Sequence, residues 1–293
     1  MRVIVFFFLL VCATSLVNCK KADPAVVKNL NNGNIWVIGH AGSGFQTGRS
    51  PIPSNSEKSI SKAVEGYSAD GIEIDVQMSK DSVLVLFHDG LMDQQTDCFG
   101  CVSEKTFAEI SKCNYRQDFA VNAFSNTPVV SFEFILEKYK NSVHKPLLFL
   151  DIKIIESCNQ TTPEFLRTYA QQLISILSKY ELTQRAYIHT DNATFVKNLR
   201  LSDPGRKLKI MRSATSATYE ESKKFALELE LDGVEIYNRS VTKANIEDAH
   251  ANNLLVIIFD TKDRKSIVDA IEKHPDGIMT DNIPLLQNAL SKH

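Results

Sequence analysis

Eight short apolar runs, separated by stretches with apolar positions at three- and four-residue spacing, constrain the fold of this chain more than any other feature. The runs are Ile35 to His40, Gly71 to Gln77, Leu147 to Lys153, Ala186 to Thr190, Leu208 to Arg212, Gly233 to Tyr237, Leu254 to Asp260 and Gly277 to Asp281. Between several of them the spacing predicts helices, at Glu57 to Gly66, Phe165 to Tyr180, Glu220 to Glu230, Lys243 to Asn252 and Arg264 to Lys273. Strands alternating with helices signify β-α units around a parallel sheet, and eight of them predict an α/β protein of the closed (β/α)8 TIM barrel type over 35–293. One further run, Val83 to His88, follows the second strand too closely for a helix between them, so it reads as a hairpin arm on that strand. The stretch Gly90 to Asn126 lacks periodicity, and the whole insertion, about 78–126, is expected to cap the barrel mouth.

The first residues break from this pattern. Arg2 precedes the apolar run Val3 to Val17 and then Asn18, Cys19 and Lys20, a signal-peptide pattern over 1–19 followed by a tether over 20–34. The run is shorter than the roughly 20 residues that span a bilayer. Leu16-Val17-Asn18-Cys19 also resembles a bacterial lipobox, so the expectation is export to the periplasm or outer surface, with either a lipid anchor on Cys19 or plain cleavage near it. An exported chain permits disulfides among Cys98, Cys101, Cys113 and Cys158, and three pairings are open. A net charge of -2 offers no basic field for nucleic acid, and no protein partner is evident.

Chemistry concentrates at the strand ends. In Glu73-Ile74-Asp75, period-two alternation sends both acids to one side. Like charges so placed repel unless a cation neutralises them, and hard divalent cations favour carboxylate oxygens. Leu147 to Ile152 turns polar only near its C-terminal end, which adds Asp151 as a third ligand and Lys153 as a cation suited to phosphate. His40 and His88 each close an apolar strand and are candidates for an acid/base pair.

His40-Ala41-Gly42, Pro53-Ser54-Asn55-Ser56, Glu73-Ile74-Asp75-Val76-Gln77, Ser79-Lys80-Asp81, Phe87-His88-Asp89, Asp151-Ile152-Lys153 and Thr280-Asp281-Asn282 together resemble the successive motifs of glycerophosphodiester phosphodiesterases. The resemblance runs from about Ile35 to Pro284. It implies hydrolysis of a glycerophosphodiester to glycerol phosphate and an alcohol. It also implies one Ca2+ or Mg2+ on Glu73, Asp75 and Asp151, with His40 and His88 as acid and base and Lys153 at the phosphate. Three positions depart from the family pattern: Ala41 where it has arginine, and Ser54 and Asp151 where it has glutamate. Loss of the arginine removes a bidentate phosphate donor, a role that Arg49 in the following loop could take. The alternatives are a phospholipase D-like relative acting on lysophospholipid or sphingomyelin, and a surface protein that binds metal and phosphodiester without turnover.

Overall fold

The computed structural model describes residues 27–45, 51–116, 126–214 and 217–292. The signal and lipobox region, with Cys19, and the loop carrying Arg49 lie outside them. The strands are β1 (Trp36–Gly39), β2 (Gly71–Met78), β3 (Leu84–Leu86), β4 (Leu147–Ile152), β5 (Ala186–Thr190), β6 (Lys209–Ala214), β7 (Gly233–Tyr237), β8 (Leu255–Thr261) and β9 (Gly277–Thr280). All except β3 are parallel, and the order β1-β9-β8-β7-β6-β5-β4-β2 closes through a further pairing of β1 with β2. This is the eight-stranded barrel anticipated from the runs.

β2 is the longest strand and does two jobs. Gly71 and Ile72 pair with β1, while its far end, Val76 to Met78, outruns β1 and pairs antiparallel with β3 at Leu86 to Leu84. The hairpin arm is therefore real but short, three residues rather than the six of Val83 to His88. Beyond it the cap builds a small core of its own from Val85, Phe87, Met92, Val102, Ile110, Cys113, Tyr115 and Val129.

The helices are α1 (Glu57–Ser61), α2 (Phe107–Ile110), α3 (Phe132–Tyr139), α4 (Pro163–Lys179), α5 (Ala193–Ser202), α6 (Tyr219–Glu228), α7 (Lys243–Ala251), α8 (Arg264–Glu272) and α9 (Ile283–Leu290). The helix anticipated over Glu57 to Gly66 is corrected to five α residues followed by a π turn over Lys62–Gly66. α3, α5 and α9, of eight, ten and eight residues, are further helices that the periodicity reading does not include. Their starts are nonetheless written locally: Ser131, Asn192 and Asn282 each accept a hydrogen bond from the backbone N–H three residues on. Such a cap is worth about 1 kcal/mol against alanine.

Strand alternation divides the core. Ile72, Ile74 and Val76 of β2 face outward into the layer shared with the helices, while Ile38, Phe149, Tyr187, Met211, Ile257 and Met279 fill the barrel. The barrel is thus plugged below, and polar groups can gather only toward the C-terminal ends of the strands.

The cysteines form Cys98–Cys113, inside the cap, and Cys101–Cys158, which ties the cap to the segment after β4. The latter joins residues 57 positions apart. Chain-entropy reasoning credits such a closure with about 4 kcal/mol. Replacing Cys101 and Cys158 together by alanine should lower the thermal midpoint by roughly 5–15 °C in non-reducing calorimetry. An unchanged midpoint would show that the cap is held by packing alone.

Candidate active site

The turn after β1 sets the geometry. Ala41 adopts φ 46°, Gly42 φ 92° and Gly44 φ 109°, folding the chain back over the strand end. A Cβ on Gly42 would lie 2.7 Å from Ser59 Oγ, and one on Gly44 would lie 2.5 Å from the Asp281 carbonyl, so only glycine fits either place. The left-handed Ala41 directs its backbone N–H to Glu73 Oε2 at 2.7 Å. Its methyl is fully buried, so position 41 presents nothing to a substrate.

His40 leaves β1 with its Nδ1 2.9 Å from Asp281 Oδ1. His88, beyond β3, has Nδ1 2.6 Å from Asp89 Oδ1. A carboxylate only accepts, so in each pair Nδ1 carries the proton and Nε2 is left free for chemistry. Gln77 donates its side-chain amide to the carbonyls of Phe87 and Asp89, at 2.9 and 2.8 Å, and so fixes the backbone on both sides of His88. Phe45 stands between the two imidazoles, edge-on to each, with ring centroids at 4.6 Å from His40 and 5.2 Å from His88.

Beneath them Glu73, Asp75 and Asp151 place one carboxylate oxygen each within 4.8 Å of the others. β2 and β4 pair in register with Asp75 opposite Asp151, which is why two strands deliver three acids to one point. Asn55 clasps Asp75 twice, donating to Oδ2 at 2.6 Å and accepting from its N–H at 2.9 Å. Lys153 Nζ reaches Asp75 Oδ1 at 2.8 Å and Asp151 Oδ2 at 2.6 Å.

The electrostatics follow from this crowding. Burial, then the charges of Asp75 and Asp151, hold the Glu73 carboxyl well above the ordinary carboxylate range. Burial also presses on Asp75, but the Lys153 ammonium and then His88 overcome it and keep that carboxyl low. Asp151 is raised by burial against the pull of Lys153, with Glu235 and Asp75 adding to the rise. Burial opposes the charge on Lys153, but Asp151 and then Asp75 outweigh it and hold the ammonium well above its usual value. Were all three acids ionised, one ammonium would leave two negative charges uncompensated, and a hard divalent cation on those oxygens fits that deficit.

His88 gives a pH signature. Burial opposes its charge, but the Asp89 hydrogen bond and the Asp75 charge outweigh burial and raise it above the ordinary 6.5. A raised folded value adds stability in full below the unfolded value and loses it as pH climbs through the folded one. In EDTA, wild type should therefore exceed His88→Gln in denaturant stability by more at pH 5.5 than at pH 9. A gap equal at both pH values would refute the coupling.

All five acid and histidine candidates, together with Lys153, thus meet at one end of the barrel. The sequence reading did not give roles to Asp281, Asp89, Asn55, Gln77 or Phe45, although Asp281, Asp89, Asn55 and Gln77 all lie within the quoted motifs. It also passed over His189 on β5 and Glu235 on β7, paired Nδ1 to Oε2 at 2.7 Å. Ser54 is buried beside Asn55.

The barrel, with a lysine set among three acids at one end, belongs by its family match to the class of phosphoric diester hydrolases. The sequence profile of the glycerophosphoryl diester phosphodiesterase family matches residues 46–285. The chain belongs to that family, and its reaction is glycerophosphodiester hydrolysis. It is 26% identical over 246 residues to a glycerophosphodiester phosphodiesterase of Caldanaerobacter subterraneus subsp. tengcongensis, covering 82% of this chain and 93% of that one. Among solved structures it superposes on a phosphodiesterase of Oleispira antarctica, in complex with the product sn-glycerol-3-phosphate, with TM-score 0.71 and 18% identity over 87% of this chain and 96% of that one. A glycerophosphodiester phosphodiesterase of Parabacteroides distasonis gives TM-score 0.70 and 21% identity over 88% and 97%. At such identities the structural likeness shows the shared barrel.

Proposed function

We propose that the chain hydrolyses glycerophosphodiesters by acid/base catalysis from His40 and His88 with one divalent cation, Ca2+ or Mg2+, held by Glu73, Asp75 and Asp151. The observation that carries this is the meeting of the three carboxylates below two histidines whose Nε2 atoms make no hydrogen bond among the described residues. When bound, the cation neutralises phosphate oxygens and raises the electrophilicity of phosphorus. Lys153 holds a non-bridging oxygen. One imidazole takes the proton of the attacking oxygen, which is water or a neighbouring glycerol hydroxyl whose cyclic phosphate water then opens, as the new O–P bond forms, and the other gives its proton to the leaving alkoxide as the old O–P bond breaks. Phe45 stands between the two rings and keeps them apart.

The test is release of glycerol phosphate from glycerophosphocholine and glycerophosphoethanolamine by the mature protein, in EDTA and after Ca2+ or Mg2+ is returned. Activity that EDTA abolishes and either ion restores is the expected result. Turnover indifferent to EDTA overturns the metal assignment, and choline release only from lysophosphatidylcholine or sphingomyelin would favour the phospholipase D-like reading. Arg49→Ala belongs in the same assay, since a kcat/KM equal to wild type would remove Arg49 from phosphate binding. Export is part of the proposal, supported by two disulfides of a kind that persists outside the cytosol. A lipid mass on Cys19 would distinguish anchoring from plain cleavage.

A further inference from the structure

His189 and Glu235 form a buried ionisable pair that the chemistry above does not use. His189 is completely buried on β5, in register with Asp151 on one side and Met211 on the other, and meets the Phe149 ring edge-on at 5.7 Å. Glu235 on β7 is in register with Ser213 and Ile257. Phe149, Met211 and Ile257 all belong to the barrel interior, so the pair stands inside the barrel and not under the helices. Its single hydrogen bond joins His189 Nδ1 to Glu235 Oε2 at 2.7 Å. His189 Nε2 is buried without a partner among the described residues, which a fold tolerates at a cost. Glu235 Oε1 makes no hydrogen bond among the described residues either.

Through His189, whose register partner on β4 is Asp151, Glu235 stands next to the acidic cluster. Its charge bears on Asp151, and the charges of His40 and Lys153 bear on it. A carboxylate in that position repels a phosphate diester, so the part of the substrate it meets must be neutral or cationic and must carry hydrogen-bond donors. With the phosphate drawn to Lys153 and the acidic cluster, the free hydroxyls of the glycerol moiety are such donors, and a carboxylate accepts strongly from them.

We infer that Glu235 binds a free glycerol hydroxyl and that His189, beneath it, is the positioning residue that fixes its carboxylate, so these two residues set how strongly the site favours a substrate that offers that hydroxyl. This rests on the hydrolysis proposed above. A hydrogen bond built for a substrate hydroxyl discriminates strongly against substrates that lack it, because the buried acceptor is then left unpaired.

The experiment compares glycerophosphocholine, glycerophosphoglycerol and bis(4-nitrophenyl) phosphate, which has no hydroxyl, in wild type, Glu235→Gln, His189→Gln and His189→Phe. Glu235→Gln and His189→Phe should each raise KM for both glycerol substrates by roughly tenfold or more, and by a clearly smaller factor for bis(4-nitrophenyl) phosphate, which shares the charge effect but lacks the hydroxyl. His189→Gln, which keeps a donor toward Glu235, should retain most of the discrimination. Equal losses on all three substrates, or a weakened Ca2+ dependence in Glu235→Gln, would overturn the inference in favour of a structural or metal-binding role. A loss confined to glycerophosphocholine would overturn it in favour of recognition of a cationic alcohol. A wild type silent on both glycerol substrates would instead defeat the parent proposal, so the two failures are distinguishable.

Discussion

Exchanging His40 for alanine should lower kcat on glycerophosphocholine by about 100- to 10,000-fold at saturating cation, the range spanned by a positioned proton-transfer group. His40 is half-enclosed, and its ring spans from Asp281 Oδ1 at 2.9 Å to within 3.9 Å of Glu73 Oε2, so it links the last strand to the acidic cluster. The fold around it rests on backbone contacts that do not need the imidazole, such as the Ala41 amide on Glu73 and the Gly42 amide on the Glu73 carbonyl. Thermal stability should therefore stay close to wild type while turnover collapses. A variant within about threefold of wild-type kcat would show that His40 takes no part in proton transfer.

Replacing Lys153 by methionine should be costly in a different way. Lys153 is the ammonium in contact with Asp75 and Asp151, and its loss leaves two buried acids and the half-buried Asp151 without their ammonium. Breaking one partner of a buried ion pair costs about 3–5 kcal/mol. In EDTA the variant should unfold at clearly lower denaturant than wild type, and a divalent cation should return much of the loss by occupying the same acids. Turnover should stay low even when stability is restored, because the phosphate has lost its ammonium. A Lys153→Met variant as stable as wild type in EDTA, or one whose midpoint ignores added Ca2+, would contradict the charge balance drawn here.

The barrel could be read from the sequence because each strand is a short apolar run bounded by turn residues, and the run count survives errors at the ends. The principal acids were legible for the same reason: Glu73, Asp75 and Asp151 interrupt strands that are otherwise apolar, so period-two alternation alone aims them inward. Lys153 followed by the same rule. What alternation cannot supply is the partner across the barrel. Asp281 is 241 residues from His40, and Asn55 is 20 from Asp75, so only closure of the sheet brings them together. The His189 and Glu235 pair hid for a related reason, since each side chain by itself reads as one polar residue in a buried strand. The cap resisted reading because its core is assembled from single residues at irregular spacing and pinned by disulfides whose pairing no spacing reveals.

The two disulfides differ in what they allow this lineage to change. Cys98–Cys113 is internal to the cap, so a cap of different length or composition could replace it as a cassette without disturbing the strands that carry the acids. Cys101–Cys158 is a tether between that cassette and the segment leading away from Lys153, so its halves sit on opposite sides of any such exchange. A graft that took the cap alone would strand Cys158 as an unpaired thiol, open to mispairing under conditions in which disulfides form. Diversification of the cap is therefore expected to be coupled to position 158, with the two cysteines gained or lost as a unit.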